Sequence, residues 1–148
     1  MIPPVTADLH AAVASRLRGV GQRFTTQRQG LVAVLERARK PLSTAEIVRA
    51  RTGPQSSVYR NLAVLEQAGV VRRVITDEGF ARFELTEELT EHHHHLICSN
   101  CGKVEDVTIP PHVESTMDRT ADRLAKRSGF AEVRHHRLDL IGTCRACA

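Results

Sequence analysis

Apolar positions recur every three to four residues through much of the first half of the chain, then give way to shorter alternating runs. Leu9, Val13 and Leu17 fall at four-residue steps, which predicts a helix from about Ala7 to Arg18, ended by Gly19 and Gly21. Thr25 suits the N-cap of a second helix that carries Leu31, Val34, Leu35 and Ala38 on one face. Pro41 closes the connection, and Ser43-Thr44-Ala45-Glu46 fits a capping box. A short third helix should follow through Ile47 and Val48 to about Arg51, with Thr52-Gly53-Pro54 as a turn. A fourth helix runs from about Ser56 to Ala68 on the stripe Val58, Leu62 and Leu65, and Gly69 stops it.

The period then changes. Val70 to Ile75 and Phe80 to Leu85 read as strands joined by the turn Thr76-Asp77-Glu78-Gly79. Helices followed by a β-hairpin make a winged helix-turn-helix, here residues 1–86. Thr86 to Glu91 is short and polar, and residues 87–91 are a hinge. Residues 92–148 read as a strand from about His93 to Cys98, a knuckle at Ser99-Asn100-Cys101-Gly102 and a strand from Lys103 to Thr108. A helix opened by Pro110-Pro111 follows, with Val113, Met117, Ala121 and Leu124 on one face and Gly129 at its end. A last strand from about Val133 to Ile141 delivers Cys144. The fold class is α+β: a winged helix followed by a small α/β domain.

Charge sharpens this division. The net +4 is uneven: residues 1–86 hold 13 Lys/Arg against 7 Asp/Glu, or +6, and residues 87–148 hold 8 against 10, or −2. A basic half suits a polyanion such as double-stranded DNA. With 41% apolar residues the 148-residue chain can build packed cores, although aromatics are scarce. No apolar run approaches the roughly 18–20 residues of a membrane span, and the N-terminus lacks a signal-peptide pattern. We therefore expect a cytoplasmic protein with no membrane partner, in which thiols stay reduced.

All four cysteines fall in two Cys-x-x-Cys pairs, Cys98/Cys101 and Cys144/Cys147. That spacing lets two thiolates from each pair share one tetrahedral Zn2+. Such an ion would staple the strand-helix-strand unit between them, which is too small to hold a large core. The run His92-His93-His94-His95 lies just before the first pair. In a strand, His92 and His94 face one way and His93 and His95 the other, so one tetrapeptide can feed two metal sites. Glu114 and His136 are candidate partners for His92 and His94. Glu84 on the wing and Asp106 after the knuckle are candidates for His93 and His95. A carboxylate from the wing would tie the two halves together around an ion.

In a helix-turn-helix the second helix of the motif enters the major groove. Gln55, Ser56, Ser57, Tyr59 and Arg60 place amide, hydroxyl, phenol and guanidinium groups near the start of the fourth helix, where they can bond base edges and phosphates. Arg28, Arg72 and Arg73 are candidate phosphate contacts.

Taken together these features resemble the ferric uptake regulator (Fur) family, which includes iron, zinc and peroxide sensors. The resemblance rests on Thr25-Thr26-Gln27-Arg28, Ser57-Val58-Tyr59-Arg60-Asn61-Leu62, Ala68-Gly69-Val70-Val71 and Arg82-Phe83-Glu84-Leu85. It continues through His92 to Gly102 and from Gly142 to Cys147. It implies a homodimer built on the C-terminal domain, binding a pseudo-palindromic operator when metal is loaded and repressing metal-homeostasis genes for zinc or iron uptake. It further implies a structural zinc on the four cysteines. Glu84, His93, His95 and Asp106 would form a sensing site, and His92, His94, Glu114 and His136 a second site.

The family pattern is incomplete at the sensing site. Lys40-Pro41-Leu42 stands where many iron and peroxide sensors place a His, and Arg72 where many zinc sensors place an Asp. The all-His run resembles zinc sensors and the Glu84 context iron or peroxide sensors, with Zn2+ slightly favoured over Fe2+ as the regulatory ion. An iron-dependent peroxide sensor of the same fold is the alternative. From other classes, a zinc-stapled interaction module without DNA binding would show no salt-sensitive duplex binding. A zinc deaminase would pair its cysteines as Pro-Cys-x-x-Cys, but Ile97 precedes Cys98. No catalytic residues are expected.

Overall fold

A computed structural model describes residues 6–51, 54–76 and 79–148. The N-terminal part contains helices α1 (Ala7–Gly19), α2 (Thr26–Ala38), α3 (Thr44–Ala50) and α4 (Gln55–Gln67) with strands β1 (Leu42–Ser43), β2 (Val71–Ile75) and β3 (Ala81–Leu85). A single 3-10 turn, Glu87–Leu89, leads to β4 (His94–Cys98), β5 (Val104–Val107), α5 (Pro111–Arg127) and β6 (Asp139–Gly142). The expected turns at Thr52-Gly53 and Asp77-Glu78 lie outside the described residues.

The helix starts obey local chemistry. Thr25 accepts the Arg28 N–H at 3.4 Å. Ser43 and Glu46 form the full capping box, with Glu46 N–H on Ser43 Oγ at 3.2 Å and Ser43 N–H on Glu46 Oε2 at 2.7 Å. Gly69 sits at φ +70°, and Val70 N–H reaches back to Leu65 O at 2.9 Å, so the chain turns from α4 into the wing. Leu9, Val13, Leu17, Leu31, Leu35, Ile47, Val58, Leu62 and Leu65 are buried in one core with Val70, Val71, Phe83 and Leu85. Their stripes are what the helical periodicity marked. Burial of this face, more than helix propensity, stabilises the short α3 and α4.

β3 is the centre of the first sheet, in the order β1-β3-β2, all antiparallel. The two-residue β1 was not expected, because it is too short to show a period. It pairs Leu42 with Phe83 and Ser43 with Arg82. The second sheet has the order β5-β4-β6, with β4 antiparallel to β5 and parallel to β6. Val74 of the wing shares a small buried cluster with Ile97 and Val104, so the wing packs on the second sheet.

One boundary needs correction. The last strand is Asp139–Gly142 and not Val133 to Ile141. β4 starts at His94 and its register pairs His95 with Asp139, and just before that pair Leu138 O still accepts the His95 N–H at 3.3 Å. The apolar face of α5 is not covered by its own chain: Leu124 is 56% exposed, and only Ala125 of that helix is buried. Among the described residues no helix is long and apolar enough to cross a membrane.

Candidate metal centres and DNA-facing helix

The cysteine cluster forms where β4 ends and the turn after β6 begins. Cys98, Cys101, Cys144 and Cys147 bring their sulfurs within 4.8 Å of one another, and all four are free thiols. Cys101 Sγ and Cys144 Sγ are 3.8 Å apart. Zn–S bonds of about 2.3 Å in a tetrahedron require sulfur–sulfur edges of about 3.8 Å. The Cys98 thiol is lowered to about 6, first by the Cys144 N–H and then by the Cys101 N–H. Cys147 is pushed up to about 12 by the neighbouring sulfurs, Cys144 first and Cys101 next. Holding all four sulfurs as thiolates at this spacing needs a cation among them, and four sulfur donors at tetrahedral spacing fit zinc.

The Glu114 cluster lies between β4 and α5. His94 Nε2 is 2.6 Å from Glu114 Oε1, and His136 Nε2 is 3.1 Å from Glu114 Oε2. His92 Nε2 stands 3.5 Å from Glu114 Oε1. Strand alternation puts His92 and His94 on this side, and the first turn of α5 presents Glu114 to them. His136 arrives from the irregular stretch before β6, with Nδ1 held by Asp118 at 3.2 Å.

The Glu84 cluster lies between the wing and the second sheet. His93 Nε2 is 3.0 Å from Glu84 Oε2 and His95 Nε2 is 3.1 Å from Glu84 Oε1. Asp106, the register partner of His95 on β5, stands 3.7 Å from His93 Nε2 and 3.9 Å from His95 Nε2. Its Oδ1 is buried without a hydrogen-bond partner, an acceptor that a cation would satisfy. Burial works against ionisation of Glu84, yet the hydrogen bonds from His93 and His95 hold it well below the usual carboxylate range. The bond to Glu84 raises His93 to about 9. His95 is raised too: burial opposes its charge, but Glu84 and Asp139 outweigh that cost. Asp106 is raised by burial. Two imidazoles and two carboxylates around a shared gap can exchange protons for a divalent ion.

Several partners here were not read from the sequence. Asp139 Oδ1 holds His95 Nδ1 at 2.9 Å, which orients the ring and leaves Nε2 facing Glu84. Arg72 Nε is 2.7 Å from Glu84 Oε1, and its Nη2 is 3.4 Å from Glu87. Arg72 meets Glu84 because the β2–β3 register makes the two cross-strand partners. The signal for Asp139 depended on the register of β6, which no local pattern sets.

The expected DNA contacts divide. Gln55, Ser56, Tyr59 and Arg60 are exposed on α4. Ser57 is buried and donates to Pro54 O at 2.8 Å, closing the first turn of its own helix. Arg28 is tied to Asn61 Oδ1 at 3.0 Å and Arg23 O at 2.7 Å, so it braces α2 against α4. Arg72 is engaged by Glu84 and so is not a free phosphate contact. Arg73 is half exposed and pairs with Glu66 at 3.0 Å.

A winged helix joined to a small sheet domain that carries three potential metal clusters defines a metalloregulator. A profile of the ferric uptake regulator family matches residues 19–141, and the chain belongs to that family. The family consists of DNA-binding regulators and not enzymes. The chain is similar to the peroxide-responsive repressor PerR of Staphylococcus aureus, 32% identical over 151 aligned positions, covering 99% of this chain and 95% of that protein. The ferric uptake regulator Fur of Vibrio cholerae has a similar structure, with a TM-score of 0.67 and 26% identity over 88% of this chain and 98% of that one. The Fur structure from Helicobacter pylori shares the fold, with a TM-score of 0.71 and 24% identity over 98% of this chain and 96% of that one.

Proposed function

We propose that this protein is a cytoplasmic, homodimeric, metal-dependent repressor whose Glu84 cluster holds Fe2+ and responds to peroxide. In this reading residues 1–86 bind operator DNA, 87–91 act as a hinge and 92–148 form the dimer. The observation that carries it is the donor set: Glu84, His93, His95 and Asp106 lie with ligand atoms within 4.8 Å and include no thiolate. Two imidazoles with carboxylates suit non-haem Fe2+. The histidine run by itself favours zinc at this site, and two carboxylates among the four ligands weigh against it. The similarity to a peroxide-responsive repressor supports the same reading.

Each group then has a task. Glu84 comes from the wing, while His93, His95 and Asp106 come from the second sheet, so an ion there joins the two parts. It favours one spacing of paired α4 helices, and by reciprocity DNA tightens metal binding. Zinc on the four cysteines keeps the second part folded. The Glu114 cluster is a second divalent site. The exposed Leu124, Phe130, Leu140 and Ile141 supply apolar surface for a second copy to cover. Bound Fe2+ would supply the redox chemistry that passes two electrons from a histidine ring to a peroxide and breaks its O–O bond. The ring C2 of His93 or His95 then takes one peroxide oxygen in place of its hydrogen, which shifts to that oxygen or a ring nitrogen, and the second oxygen leaves as water. An oxidised ring is a poor ligand, so the two parts separate and DNA is released.

The test is anaerobic loading with Fe2+ followed by mild peroxide. The reading predicts loss of duplex binding, with one added oxygen on His93 or His95 by peptide mass spectrometry and no change in protein loaded with Mn2+. Peroxide indifference with iron bound would return the protein to the second reading, a repressor of metal-uptake genes. The structural similarity to Vibrio cholerae Fur favours that second reading.

A further inference from the structure

The Glu84 cluster is touched by one guanidinium, that of Arg72, which is no metal ligand. We infer that Arg72 sets the affinity and selectivity of this cluster: its guanidinium holds one oxygen of Glu84 and competes with the ion for it. The inference rests on the reading of Glu84, His93, His95 and Asp106 as a metal site.

Arg72 and Glu84 are directly opposed on β2 and β3, so register brings their side chains to the same face. Arg72 Nε and Nη2 both lie 2.7 Å from Glu84 Oε1. The same Nη2 reaches Glu87 Oε1 at 3.4 Å, in the turn between the two parts of the chain. Glu84 and Arg72 side chains are only 6% and 21% exposed, so water screens the pair little.

Three consequences follow from the chemistry. First, His93 and His95 can surrender protons to admit an ion, but a guanidinium keeps its charge at every working pH. Arg72 is therefore a permanent competitor. Second, both guanidinium nitrogens lie on Oε1, the oxygen that also faces His95 at 3.1 Å, so Oε2, which faces His93 at 3.0 Å, is the less encumbered oxygen for an ion. Arg72 therefore favours one-oxygen ligation by Glu84. Third, Glu84 and Asp106 offer the ion two carboxylate charges, with Asp139 behind His95, and Arg72 offsets one of them. Ions that depend on carboxylates, such as Mn2+ and Fe2+, lose more than Zn2+, which binds imidazole strongly. Glu87 draws the guanidinium partly away from Glu84 and so tempers the competition.

The test uses full-length protein that keeps zinc on its four cysteines. Mn2+ and Zn2+ are titrated against a fluorescent chelator for wild type, Arg72→Gln, Arg72→Lys and Glu87→Gln. Arg72→Gln should bind Mn2+ at least about tenfold tighter, with a smaller gain for Zn2+. Arg72→Lys keeps the charge and should stay near wild type. Glu87→Gln, a substitution outside both sheets, should weaken Mn2+ binding, which keeps the proposal testable even if Arg72→Gln fails to fold. Equal or weaker Mn2+ binding by folded Arg72→Gln would overturn the inference, as would stronger binding by Glu87→Gln. His93→Ala separates the two levels. If wild type binds no ion that His93→Ala loses, the reading of the cluster fails, and the role of Arg72 with it.

Discussion

Protons and metal compete for the same nitrogens in the Glu84 cluster, so metal affinity there should depend steeply on pH. In the metal-free protein His93 Nε2 donates to Glu84 Oε2 at 3.0 Å, and this bond raises His93 to about 9. An ion needs that nitrogen without its proton. Below about pH 9 each ion bound at His93 therefore expels one proton, and the binding constant changes about tenfold per pH unit, or about 1.4 kcal/mol. His95 is raised as well, despite opposing burial, and adds a second proton wherever it is still charged. The slope of log K against pH should lie between about one and two around neutrality. Stability of the metal-free protein runs the other way. The folded value of His93 exceeds its unfolded one, so its contribution is full below about pH 6.5 and disappears as pH rises toward about 9. The difference in Tm between metal-loaded and metal-free protein should thus widen with pH. Chelator competition with Mn2+ at several pH values gives the slope, and calorimetry in two buffers of different ionisation enthalpy counts the protons. A flat log K with no proton release, for an ion that His93→Ala fails to bind, would refute the reasoning.

Three further outcomes are expected. Cys98→Ser combined with Cys101→Ser should unfold the second part of the chain, because structural zinc supplies apparent folding free energy of about 10–16 kcal/mol; circular dichroism and zinc content check this, and a folded dimeric variant would contradict it. Gly102 has φ +70°, and a Cβ there would lie 2.6 Å from the Phe80 ring. Gly102→Ala should cost about 1–3 kcal/mol in thermal or urea unfolding, with partial recovery on adding Phe80→Ala; an unchanged Tm would show that the wing does not dock on the knuckle. Arg60→Ala should weaken duplex binding about tenfold or more without altering metal content, and full affinity by fluorescence anisotropy would remove it from the DNA interface.

The parts of this fold that follow a local period were legible from residues alone. Leu31, Val34 and Leu35 marked a buried helix face, and Ser43 with Glu46 marked a helix start. The alternation of four histidines separated two clusters, since His92 and His94 meet Glu114 while His93 and His95 meet Glu84. What local pattern could not supply was register and docking. Asp139 meets His95 only because β6 pairs in parallel with β4 from that residue onward. The last strand begins at that same residue. Arg72 looked like a free cation for phosphate, because the pairing that sets it on Glu84 is a property of the hairpin and not of either strand. The contact of Phe80 and Arg82 with Gly102, including Arg82 Nε on Gly102 O at 2.5 Å, joins residues that are 20 or more positions apart. The apolar face of α5 was legible as a stripe, but a stripe does not say whether its own sheet or a second chain covers it.

The most direct test of the account is duplex binding by protein that lacks the two histidines of the Glu84 cluster. A duplex would first be selected from a random pool by Mn2+-loaded wild type. Anisotropy would then compare wild type with the His93→Ala, His95→Ala variant, each with Mn2+ and with a chelator mild enough to spare the cysteine-bound zinc. The account predicts strong, metal-dependent binding by wild type and weak, metal-indifferent binding by a variant that is still a folded dimer. Equal binding by the two proteins, or binding by wild type that ignores metal, would contradict it.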